Sequence, residues 1–136
     1  MVRRQFPHLR IQIDRNHSHA DALAELPAQT GLDFDVRFNL QNSDELHLNI
    51  SNLWVEWFPC RKQEVVDRFT DALVGVLSGR YRVLESRVLG SFVGARLQRP
   101  AGNGNWKTIH RCSNLRALVP WPRSRTVVQN NAALTG

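Results

Sequence analysis

A chain of 136 residues, 42% hydrophobic and 22% charged, is long enough for one domain to bury a core and too apolar for wholesale disorder. No run approaches the roughly 18 apolar residues of a membrane span. The two cysteines, Cys60 and Cys112, exclude a disulfide framework. They read as reduced thiols in a cytoplasmic protein, and the start "MVRRQFPHLRIQID" lacks the apolar run of a secretory signal.

In chain order, "LRIQID" (9–14) alternates Leu9, Ile11 and Ile13 with polar neighbours and predicts a strand. "HSHADALAELPAQTG" (17–31) carries Ala20, Leu23 and Ala24 at helical spacing behind a Ser18 cap, and predicts a short helix that Pro27 ends or kinks. "DFDVRFNL" (33–40) puts Phe34, Val36, Phe38 and Leu40 on one face of a strand. "LHLNIS" (46–51) returns as its hairpin partner, with Leu46, Leu48 and Ile50 inward. "NLWVEWFPC" (52–60) is apolar on both faces except for Glu56. It predicts either a bulge at Ser51-Asn52 or a central strand covered on both sides.

The segment 61–79 holds Val65, Val66, Phe69, Ala72, Leu73, Val76 and Leu77 on one stripe, and Gly79 follows as terminator. This is a long amphipathic helix. Residues 81–99 read as β, but a straight strand of that length would exceed about 60 Å. A bend is expected near Glu85-Ser86 or at Gly90. "RPAGNGN" is a turn, and "WKTIHR" (106–111) is the partner strand.

The expected fold is α+β: an antiparallel sheet of five or six strands with one long and one short helix on one face. Its first six elements match the split β-α-β-β-α-β order, with a C-terminal hairpin extension. Residues 1–111 form the domain, and residues 112–136 dock on it or on a partner subunit.

The charge is uneven. Residues 1–79 hold 8 Lys and Arg against 11 Asp and Glu, a net of −3. Residues 80–136 hold 10 bases and a single acid, Glu85, a net of +9. A basic sheet face of Arg82, Arg87, Arg96, Lys107 and Arg111, with Phe92 and Trp106 between, would suit single-stranded nucleic acid. The sharper candidate is Glu56 among Trp54, Trp57 and Phe58, because a carboxylate lined by rings suits a lipophilic cation. Arg61 and Lys62 at the start of the long helix form a generic anion site. The same helix end would favour a Cys60 thiolate, but no Cys-His signature accompanies it, and Cys60 reads as a small residue closing the strand-to-helix turn.

His17, His19 and Asp21 spell H-x-H-x-D. This resembles the metal-binding H-x-H-x-D-H signature of the metallo-β-lactamase family, with Ala22 in place of the last histidine. The chain is short for that fold, and the expectation for these residues is a polar loop and helix start.

The function expected first is a non-enzymatic module binding a small, mostly apolar molecule between sheet and helix. Nucleic acid or an acidic protein surface bound by the arginine-rich half is the alternative, and an enzyme of unrecognised type is the third reading. No cofactor, metal or membrane partner is expected. A homodimer is expected, because Trp106, Trp121, Val127, Val128 and Leu134 add apolar surface late in the chain.

Overall fold

The first strands of the chain form a meander in which each alternating segment pairs with the next. A computed structural model describes residues 1–131. After a four-residue helix, α1 (Val2–Gln5), come β1 (Gln12–Asp14), β2 (Ala22–Leu26), β3 (Val36–Gln41), β4 (Glu45–Ile50) and β5 (Leu53–Trp57). They form one antiparallel sheet in sequence order. The long helix α2 (Gln63–Leu77) follows. Then β6 (Arg82–Val88), β7 (Ser91–Gly102), β8 (Asn105–Ser113) and β9 (Arg123–Val128) form a second antiparallel sheet of order β8-β7-β6-β9.

The class is α+β with antiparallel sheets, as the alternation implies. Its finer arrangement differs from the split β-α-β-β-α-β order, since five strands precede α2 and four follow it in a separate sheet. The expected helix over 17–31 is replaced by β2, which pairs with β1 through Ala24↔Ile13 and with β3 through Ala24↔Phe38. Intrinsic helix preference is worth only tenths of a kcal/mol per residue. Pairing on both sides and the burial of Ala24 and Leu26 outweigh it.

The two alternatives posed for residues 51–58 are both replaced by a reversal. Ile50 pairs with Leu53, so Ser51-Asn52 is a two-residue hairpin turn. Ser51 takes φ of +52°, a conformation in which glycine is the usual residue. In residues 81–99 both expected bend positions are used. A bulge lies at Ser86/Arg87, and Leu89-Gly90 forms a two-residue turn with both φ values positive. Asn103-Gly104 makes the next such turn.

One hydrophobic cluster joins both sheets and the helix. Leu48, Ile50 and Leu53 come from the first sheet, Leu73 and Val76 from α2, and Val83 and Leu97 from the second; all are at most 1% exposed. Each such side chain contributes roughly 1.5–3 kcal/mol on burial. Phe69 on α2 meets the rings of Phe38 and Trp57 edge-on at 5.9 and 5.5 Å.

Glu85 on β6 crosses between the sheets. It accepts hydrogen bonds from the backbone N–H and side chain of Asn52 in the β4–β5 turn, at 3.1 and 3.3 Å. Asn130, beyond β9, is buried and donates to the carbonyls of Gly31 and Leu77. No helix among the described residues is long and apolar enough to cross a membrane. Leu134 lies outside the described residues.

Candidate functional site

The side chains of β5 divide between two faces. Leu53, Val55 and Trp57 point into the core, whereas Trp54 and Phe58 are 47% and 60% exposed. Glu56 shares the outward parity of Trp54. Trp57 is therefore separated from Trp54, Glu56 and Phe58, and the four do not line one cavity. Trp57 instead stacks edge-on against His110 at 4.7 Å. Burial, with a smaller contribution from Arg68, holds the His110 pKa below its usual 6.5.

What Glu56 does face is His47, its directly paired neighbour on β4. The imidazole is buried, with 4% exposure, and neither ring nitrogen has a hydrogen-bond partner among the described residues. His47 Nε2 lies 3.6 Å from Glu45 Oε2 and 3.7 Å from Glu56 Oε2. The Trp54 ring closes over the imidazole edge-on at 5.2 Å. Across β3, Asn39 stands opposite His47, and its side-chain oxygen is also buried and unpartnered. Strand alternation explains the cluster: Glu45 and His47 are two residues apart on one face, and antiparallel register brings Glu56 beside them.

The second site is the outer face of the second sheet. Val83, Ala95 and Leu97 point inward to the core, so Arg82, Leu84, Arg96 and Arg111 share the opposite face by register. Arg96 and Arg111 are directly paired across β7–β8. Such pairs place Cβ atoms about 4.5–5.5 Å apart, and like charges there are destabilising. With Arg123 they line a cavity of about 190 Å³ that also has Ser86, Gly94 and Ser113 in its wall. Gly94 in its wall leaves no room for a side chain, since a Cβ there would lie 2.9 Å from the carbonyl oxygen of Cys112.

Further along this face the Arg82 guanidinium stacks over the Trp106 ring, 4.0 Å from its centroid. The guanidinium is held there by a bond from its Nε to Gln98 Oε1 at 3.0 Å. Arg125 pairs with Ser86 and adds a further cation. The single acid of this half, Glu85, lies on the inner face and is only 3% exposed.

Three of the five bases expected on this face, Arg82, Arg96 and Arg111, are brought together. Arg87 bonds Glu85 and stands opposite Phe92, which packs on the core. Lys107 stands opposite Arg99, with strand parity opposite to Trp106 and Thr108. Sequence reasoning missed Arg123 and Arg125 because "PWPRSR" reads as an extended punctuator rather than an edge strand.

The remaining candidates are locally satisfied. Arg61 lies beside Asp44, which also accepts from the Arg61 backbone N–H at 3.2 Å, so the start of α2 carries an acid next to its bases. Burial, then Asp44, pushes the Cys60 thiol pKa up from 9.0. The thiol is thus favoured over the thiolate, because burial and the nearby carboxylate outweigh Arg61. In the H-x-H-x-D segment, His17 Nδ1 accepts from the His19 backbone N–H, and Asp21 accepts from the Ser43 N–H. Both are engaged in loop contacts.

No protein-family model, curated protein or solved structure matches the chain.

Proposed function

We propose that the protein is a non-enzymatic binding module for single-stranded nucleic acid, held on the outer face of the second sheet. The observation that carries this reading is the Arg96–Arg111 cross-strand pair, which with Arg123 lines an open cavity that has no acidic side chain among its described lining residues. Two adjacent guanidinium groups repel one another in the free protein. A phosphate between them removes that repulsion and accepts charge-assisted hydrogen bonds from both.

Trp106 supplies the second element. It lies five residues from Arg111 along β8, about 16 Å at 3.3 Å per residue. A strand whose phosphate sits at Arg96 and Arg111 can run along the face and stack a base on or near the Trp106–Arg82 platform. Positive grooves with aromatic platforms bind single strands in this way with little sequence preference. Two free thiols fit a reducing compartment such as the cytoplasm. A small apolar ligand between sheet and helix has less support, since Trp57 faces the core while Trp54 and Phe58 face outward.

The test is fluorescence anisotropy with a labelled oligothymidylate across a salt series. Two phosphates, one shared by Arg96 and Arg111 and one at Arg123, give a log–log slope of about −1.4, and Arg96→Ala with Arg111→Ala lowers its magnitude by about 0.7. Binding that does not respond to salt, or that survives Arg96→Ala and Arg111→Ala together, overturns the proposal.

A further inference from the structure

We infer that Glu45, His47 and Glu56 form a binding site for a first-row divalent cation of the Zn²⁺ type on the outer face of the first sheet. The three side chains offer one nitrogen and two carboxylate oxygens, all within 4.8 Å of one another. Neighbouring acids alone would be an ordinary surface feature. The decisive observation is His47. It is a buried imidazole with both nitrogens unpartnered, and its Nε2 is directed at the two carboxylate oxygens from 3.6 and 3.7 Å.

Those separations are slightly long for hydrogen bonds, but they suit a shared cation. Donors at about 2.0–2.2 Å from a tetrahedral ion stand about 3.4 Å apart. Closing the His47–carboxylate separations therefore takes a few tenths of an ångström, and the two glutamates at the rim, whose oxygens lie within 4.8 Å of each other, move together by at most about 1.4 Å. The donor set fixes the class of ion. Imidazole nitrogen favours Zn²⁺, Co²⁺ and their neighbours over Ca²⁺ or Mg²⁺, and the carboxylates neutralise the dipositive charge. Three protein ligands leave a fourth position open to water.

The fold builds this site rather than leaving it to flexible side chains. His47 is fixed by its place in a central strand between β3 and β5 and by the Trp54 ring against its edge. A ligating histidine is commonly oriented by an acceptor for its other N–H. Asn39, directly across β3–β4 with an unpartnered buried oxygen, is the residue placed to supply one. The inference is independent of the nucleic-acid reading, which concerns the other sheet.

The experiment uses the full chain, freed of metal by chelation, titrated with Zn²⁺ by calorimetry and with Co²⁺ by visible absorption. The expected result is one ion per chain with micromolar affinity and Co²⁺ ligand-field bands. X-ray absorption of the Zn²⁺ form should show one imidazole among oxygen ligands. Glu56→Gln and Glu45→Gln, both at the rim, each weaken binding at least about tenfold, since even outer-shell changes cost about 10–100-fold. His19→Ala and Glu64→Gln, in the exposed loop and on α2, leave it unchanged. Absence of stoichiometric binding by folded wild-type chain overturns the inference. So does binding that is lost with His19→Ala but retained by folded Glu56→Gln.

Discussion

Replacing Glu85 tests how the two sheets are held together. Its carboxylate is 3% exposed as a residue, yet it accepts from the Asn52 N–H at 3.1 Å and from Asn52 Nδ2 at 3.3 Å, with Arg87 Nη2 at 3.4 Å. Burial works against its charge, but bonds from Ser51 and Asn52 and the charge of Arg87 outweigh it. Its pKa therefore lies below the ordinary 4.5. Glu85→Gln retains the shape but turns an NH₂ group toward these donors. One unsatisfied buried group costs about 1–3 kcal/mol. Asn52 and Arg87 are partly solvated, so a loss of about 2 kcal/mol is expected for the variant, from the lower part of the summed range.

Urea unfolding reads this directly. With m of about 2 kcal/mol/M, the midpoint falls by about 1 M. The pH dependence gives an independent sign. The folded-state pKa is depressed, so the contribution of Glu85 is present above the unfolded value near 4.5 and is lost as pH falls through the folded value. The variant should thus lose most relative to wild type at neutral pH and converge on it in acid. A double cycle with Asn52→Ala must also show coupling. A midpoint change below about 0.25 M, equivalent to about 0.5 kcal/mol, or strict additivity with Asn52→Ala, refutes the clamp.

Four other outcomes follow from local geometry. Leu89→Asn should raise stability by about 1 kcal/mol in thermal unfolding, because Leu89 is a 79% exposed leucine at φ +49° in a turn that favours Asn. Gly75→Ala should destabilise by several kcal/mol despite better helix propensity, since the new Cβ would lie 2.5 Å from the buried Tyr81 ring. The depressed His110 pKa stabilises above the unfolded value near 6.5 and is lost as pH falls; His110→Leu should therefore flatten the stability profile between pH 7 and 5, measured by urea midpoint. Self-association, if it uses Leu115, Leu118 and Trp121, which are all exposed, should vanish in Leu118→Asp by light scattering; a monomeric wild-type mass at micromolar concentration removes it.

Elements carried by side-chain periodicity alone are legible in the sequence. The stripe Val65, Val66, Phe69, Ala72, Leu73, Val76 and Leu77 gives α2, with all but the half-buried Val66 in the core. The alternation from Val36 to Ile50 gives β3 and β4. Reading failed where two periods coexist in one short segment. Ala20, Leu23 and Ala24 fit a helix, but Ala22, Ala24 and Leu26 equally fit a strand. The competition is decided by β1 and β3, which lie elsewhere in sequence. It failed again at Ser51-Asn52, because a positive-φ turn without glycine leaves no local mark.

The two sites were legible to different degrees for the same reason. Arg82, Arg96 and Arg111 lie on strands recognisable individually, and the β6–β7 and β7–β8 registers bring them to one face, while the bulge at Ser86/Arg87 turns Arg87 away. The cluster of Glu45, His47 and Glu56 instead requires register. Counting outward from the Ser51-Asn52 turn pairs Ile50 with Leu53, Leu48 with Val55 and His47 with Glu56. That count sets Glu56 beside His47 on the outward face and sends Trp57 into the core. The two-residue turn thus decides which face of β5 is buried, since every side chain downstream changes face with it.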